Sequence, residues 1–109
     1  MPHPVPVACT LDGSQRSNRA RLIAELGERM LAVDAAGQRA TLRFPVERRE
    51  GVEGFIRLES ACCPFFDFRV VETDGLVELR VSTAPEGEWA VRALVAGFVA
   101  GWRRSPEGV

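Results

Sequence analysis

The chain contains no lysine and no tyrosine, and its sole histidine, His3, lies in the opening Met1-Pro2-His3-Pro4. Without lysine there is no amine for a Schiff base and no P-loop lysine to hold a nucleotide phosphate. Without an internal histidine, no Ser-His or Cys-His catalytic pair forms unless His3 folds back, and a frayed terminal residue is the plainer reading. All 14 basic residues are arginines. Set against 15 acidic residues they leave a formal net charge of −1, which argues against a nucleic-acid partner. No run of about 18 apolar residues is present, so no membrane span is expected. The N-terminus lacks a basic region followed by an apolar stretch, so the expectation is no secretory signal and a cytoplasmic location. Cysteine is sparse and odd in number, at three, and a disulfide framework is not expected in that compartment. No Gly-rich phosphate loop, low-complexity segment or internal repeat is visible.

What is present suits one compact domain. The chain has 109 residues, 46% of them apolar, enough for a single core and too few for two. One domain is expected over 1–109, with an ordered core from about 5 to 103.

Val5 to Leu11 alternates and predicts a strand ending near Asp12-Gly13. Ser14 could cap a helix running to about Val33, because Leu22, Ile23, Leu26, Met30 and Val33 recur at helical spacing. Asp34 to Gly37 reads as the stop. Arg39 to Val46 alternates again, with Ala40, Leu42 and Phe44 inward. A second helix is expected over Glu50 to Cys63, since Val52, Phe55, Ile56, Glu59, Cys62 and Cys63 share a face and Pro64 disfavours helical angles before it.

Phe66 to Glu72 and Leu76 to Thr83 read as strands joined by Asp74-Gly75, a strong hairpin signal. A two-residue turn pairs Phe68 with Val81 and Val70 with Leu79. It also sets Arg69 opposite Arg80, which is unfavourable unless the diagonals Arg69–Glu78 and Asp67–Arg80 offset it. After a loop at Pro85-Glu86-Gly87, a third helix is expected over Glu88 to Arg103. Its wide apolar band, with Leu94, Phe98 and Trp102, suits either a buried helix or a homodimer interface. The expected order is strand, helix, strand, helix, strand, strand, helix. That is an α+β sandwich with helices on one face of a mainly antiparallel or mixed sheet.

The chemistry-bearing residues are thiols. Cys62 and Cys63 are adjacent, Glu59 stands one helical turn before them, and Cys9 lies on the first expected strand. Consecutive helical residues point about 100° apart, so the two thiols converge only where the helix loosens before Pro64. A direct Cys62–Cys63 disulfide would be strained, because neighbouring Cα atoms are about 3.8 Å apart and disulfides usually need roughly 4.4–6.8 Å. Three thiolates, or two with a carboxylate, suit a soft ion: mercuric, arsenite, zinc or cuprous. Structural zinc usually takes four ligands with Cys-x-x-Cys spacing, which is lacking here. Glu59 on an apolar face is costly unless paired or exchanging a proton. It could act as proton acceptor or general acid–base, or pair with Arg57, Arg69 or Arg80. Each cysteine could also serve as a small core hydrophobe, and Phe65, Phe66 and Phe68 read as core.

The stretches Ala8-Cys9-Thr10-Leu11, Glu59-x-x-Cys62-Cys63-Pro64-Phe65-x-x-Phe68 and Ala84-Pro85-Glu86-Gly87 resemble a family of small bacterial proteins of unassigned function. That family is similar to a module appended to some heavy-metal-responsive regulators of the mercury-regulator class. The resemblance runs from about Val7 to Trp102, and Cys-Cys-Pro-Phe is its specific part. It implies a thiophilic-metal site with Cys9, Cys62 and Cys63 at the matching positions; it does not imply regulation, since 109 residues leave no room for a DNA-binding winged helix beside this domain.

Three functions compete on this reading. The first is a soft-metal or metalloid binding module for sequestration or transfer. The second is a small thiol-dependent reductase or carbon–metal lyase using Cys62 and Cys63 with Glu59. The third is a structural or dimeric module with core cysteines.

Overall fold

The computed structural model describes residues 13–104. Seven elements follow one another: α1 (Gly13–Glu28), β1 (Ala32–Ala36), β2 (Arg39–Pro45), α2 (Arg49–Cys62), β3 (Asp67–Thr73), β4 (Leu76–Ser82) and α3 (Glu88–Arg104). The strands form one antiparallel sheet in the order β1-β2-β4-β3. The fold is α+β, with the helices on the apolar face of the sheet. No helix is long and apolar enough to cross a membrane, among the described residues. The strand expected over Val5 to Leu11, and with it Cys9, lies outside the described residues.

Alternation explains the sheet. Ala40, Leu42, Phe44, Val77, Leu79 and Val81 are all buried on one face, while Arg39, Arg69 and Arg80 are exposed on the other. The hairpin β3–β4 has the expected register, with Phe68 opposite Val81, Val70 opposite Leu79 and Arg69 opposite Arg80. Its turn needs two residues at positive φ, and Asp74 (52°) and Gly75 (76°) supply them. The two diagonals expected to relieve Arg69 and Arg80 are not the pairs that form. Glu78 instead accepts from Arg80 on its own strand (2.7 Å) and from Arg43 on β2 (3.1 Å).

The first helix ends earlier than its apolar spacing suggested. The backbone turns at Leu26–Met30, through the bonds Arg29 N–H to Leu26 O and Met30 N–H to Gly27 O. Leu31 N–H then bonds Arg43 O at 2.7 Å and opens a strand. Met30 is buried, but beyond the helix, and Val33 sits in β1. The segment Asp34–Gly37 is therefore the end of a strand and the start of a hairpin turn, with Gly37 at φ 60°.

The chain also carries an architectural repeat that its residues conceal. Each half is a hairpin, a short 3-10 turn and a helix: β1-β2-α2, then β3-β4-α3. Leu42 and Leu79 are the middle pair of the β2–β4 ladder, where an axis relating the halves would pass. The hydrogen bonds repeat as well. Val46 N–H donates to Gly75 O in the second hairpin turn, and Thr83 N–H donates to Gln38 O in the first.

Rings close the core over the sheet. Phe44 meets Phe98 edge-on at 5.9 Å, Phe55 meets Phe98 at 5.3 Å, and Phe55 meets Phe68 at 5.8 Å. Such pairs contribute about 0.5–1.5 kcal/mol each beyond area burial. Helix α1 lies against α3 at near backbone contact. A Cβ on Gly101 would stand 2.6 Å from the carbonyl oxygen of Ala24, and one on Gly27 would collide with the carbonyl of Phe98. The apolar face of α3, with Val91, Leu94 and Phe98, is thus used inside the fold.

Candidate functional site

The site is built on the last turn of α2. Val52, Phe55, Glu59 and Cys62 share its buried stripe. Pro64 denies the preceding residue a helical conformation, and Cys63 leaves the helix at φ −131°, ψ 70°. Its N–H still donates to Glu59 O at 2.6 Å, so the break falls between the two thiols and Pro64. Both thiols are buried, Cys62 at 8% exposure and Cys63 at 2%. Phe66 N–H bonds back to Cys63 O. Beyond it Phe65 and Phe66 lie 4.5 Å apart by ring centroids, and Phe66 and Phe68 5.4 Å.

Glu59 is the one charged side chain buried in the core of the described residues, at 0% exposure. Its partner is Arg19 of α1, not Arg57, Arg69 or Arg80. Arg19 Nε donates to Oε1 at 3.0 Å and to Oε2 at 2.8 Å, and its terminal amine donates to Oε1 at 2.6 Å. A forked guanidinium–carboxylate contact is the strongest ordinary side-chain hydrogen-bonding arrangement. It offsets the desolvation that a lone buried carboxylate would suffer. No buried side-chain nitrogen or oxygen is left unsatisfied among the described residues. Arg19 stands one turn before Leu22 and Ile23, on the stripe that faces the core, but that position alone does not set it above the arginines nearer in sequence.

The repeat explains why this carboxylate stands out. Counting from the start of each helix, Val52 corresponds to Val91, Phe55 to Leu94 and Glu59 to Phe98. All six are buried. Where the second half places a phenylalanine in the ring cluster, the first places an acid and recruits α1 to satisfy it. Cys62 corresponds in the same count to Gly101, the residue on which α1 closes.

The structure puts Glu59, Cys62 and Cys63 on one segment, the end of α2. Among the described residues, no three His, Cys, Asp or Glu side chains gather as a group able to hold a metal ion. Cys9, the expected third thiol, lies outside the described residues. Both oxygens of Glu59 are engaged by Arg19, so the carboxylate acts as a tie between two helices. No family model, no curated protein and no solved structure matches this chain.

Proposed function

We propose that the chain is a thiol-based binding module for a soft metal or metalloid ion, with Cys62 and Cys63 as its primary ligands. The observation that carries this reading is two adjacent buried thiols placed where α2 loses helical geometry. Inside a regular helix the two sulfurs would diverge, and the break before Pro64 relaxes that constraint. Two thiolates suit the low coordination numbers of mercuric and cuprous ions, and Cys9 as a third ligand would suit arsenite or zinc better. The phenylalanines after Pro64 share the buried cluster with the two thiols, an apolar setting that fits sequestration or transfer of an ion. Glu59 takes a positioning role, tying α1 to the helix that bears the thiols. The resemblance of the Cys-Cys-Pro-Phe segment to a module of heavy-metal-responsive regulators points the same way.

Native mass spectrometry of the reduced chain, with each ion offered in excess glutathione, tests this reading. The expected result is one ion retained per chain and lost in Cys62→Ser and in Cys63→Ser, with proton release on binding. Loss in Cys9→Ser as well would make the site three-coordinate. Retention of no ion, or retention unchanged in both variants, would overturn it.

A further inference from the structure

The two outer edges of the sheet occupy corresponding places in the two halves, yet they are finished differently. At the β3 edge, Arg49 of α2 reaches Glu72 on the strand at 2.6 Å while held by Glu53 of its own helix at 2.8 Å, so one ion pair closes the seam between helix and strand. At the β1 edge α3 has the matching intrahelical pair, Arg92 to Glu88 at 3.1 Å, but no ion pair joins it to β1 among the described residues. An open depression of about 660 Å³ lies there instead, between the end of β1 and α3. Ala35, Ala36, Val95, Ala96 and Val99 line it, together with Arg92 and Arg103. Among the described residues β1 has one free side in the sheet, and Asp34 is its only charged residue. Natural edge strands are usually defended by charge, proline, bulges or a cover.

We propose that a second copy of this chain covers this edge, so that the protein is a homodimer in solution. A two-fold axis normal to the sheet would pair β1 with β1 of the other copy, antiparallel, and make one eight-stranded sheet from the two four-stranded ones. The same axis sets the two α3 helices antiparallel across the alanine-lined depression.

The charges are self-complementary in this arrangement. Centring the strand pair on Ala35 sets Asp34 opposite Ala36 of the second copy, avoiding an Asp34–Asp34 clash. Ala36 pairs with Arg39 within its own sheet, and alanine is small enough for that arginine to reach over it toward Asp34 of the other chain. Arg39 has no carboxylate partner among the described residues. On the helix side, centring the pair on Ala96 places exposed Trp89 (60% exposed) against Arg103 of the second copy, a geometry suited to cation–π contact.

Sedimentation equilibrium of the full chain under reducing conditions tests the proposal; the reductant excludes dimers made by disulfides. The expected mass is twice 12.0 kDa. Ala96→Arg, at an exposed position, should give a monomer with an unchanged circular dichroism spectrum. Asp34→Arg should weaken association about tenfold or more, equivalent to about 1.4 kcal/mol, and adding Arg39→Asp should restore it. A wild-type chain that stays monomeric at tens of micromolar would overturn the proposal. So would a dimer equally tight in both Ala96→Arg and Asp34→Arg.

Discussion

The two halves of this fold share one plan and differ at the point that matters for the site. Both present a buried stripe on a helix that follows a hairpin, with Val52 and Phe55 in one and Val91 and Leu94 in the other. One turn further along, α3 has Phe98 and α2 has Glu59. The second half completes an apolar core, whereas the first opens a polar position inside it and fills that position from outside the repeat, with Arg19 of α1. The helix that satisfies the acid also clamps the opposite half, through Gly27 and Gly101. The difference teaches that α1 acts as a bridge: it packs by backbone proximity on one half and by charge on the other.

The sharpest way to break this comparison is to remove one side of the ion pair. Arg19→Ala should destabilise the protein by about 3–5 kcal/mol, because it leaves the Glu59 carboxylate buried without its counter-charge. Replacing both, as Glu59→Leu with Arg19→Met, gives the first half an apolar residue where the second has one and should recover most of that loss. Urea unfolding of the wild type, the single and the double variant measures both. A double variant as unstable as Arg19→Ala would show that the pair does more than satisfy itself.

The glycines sharpen the contrast at smaller magnitude. Gly27→Ala should cost about 1–3 kcal/mol, since the added methyl has only the Phe98 backbone to push against. Gly54 of α2 meets nothing closer than the Arg57 side chain at 3.6 Å. Gly54→Ala should therefore stabilise by roughly 0.5–1 kcal/mol, through helix propensity alone. Paired thermal melts should move in opposite directions. A shift of the same sign in both would mean that α1 does not close tightly on α3.

The smallest effect expected is on pH. The hydrogen bond from Arg80 holds the Glu78 carboxyl below its usual range; burial opposes this, and the hydrogen bond from Arg43 adds to it. A carboxyl lowered in the folded state contributes stability above its unfolded value and loses it as pH falls through the folded one. Glu78→Gln should therefore flatten slightly the acid limb of stability against pH, below about 4.5. An unchanged limb would show that this exposed cluster is fully screened by solvent.

Much of the sheet was readable from the residues. Strict alternation and the Asp74-Gly75 turn fix the register of β3 and β4, because a slip of one residue would expose Val77, Leu79 and Val81. The helix break at Cys63 followed from Pro64. β1 was not readable. It has five residues, Val33 is its only half-buried one, and Met30 and Val33 happen to continue the helical spacing of Leu22, Ile23 and Leu26. The repeat was hidden because the halves share burial and not residues: Glu59 answers Phe98, and Cys62 answers Gly101. The pairing of Glu59 with Arg19 bridges 40 positions, and several arginines closer in sequence were equally plausible partners. Only the placement of α1 chooses among them.

The ring contacts carry a consequence for how the chain reaches this state. Phe98, on the helix of the second half, packs on Phe44 in the hairpin of the first, while Phe55, on the helix of the first, packs on Phe68 in the hairpin of the second. Each hairpin is roofed by the other half's helix. Neither half can bury its own sheet, so neither is a folding unit. A ribosome-bound chain ending before α3 would expose Leu42 and Phe44 to water. Completing the core thus draws on contacts between residues far apart in sequence, a topology that slows folding.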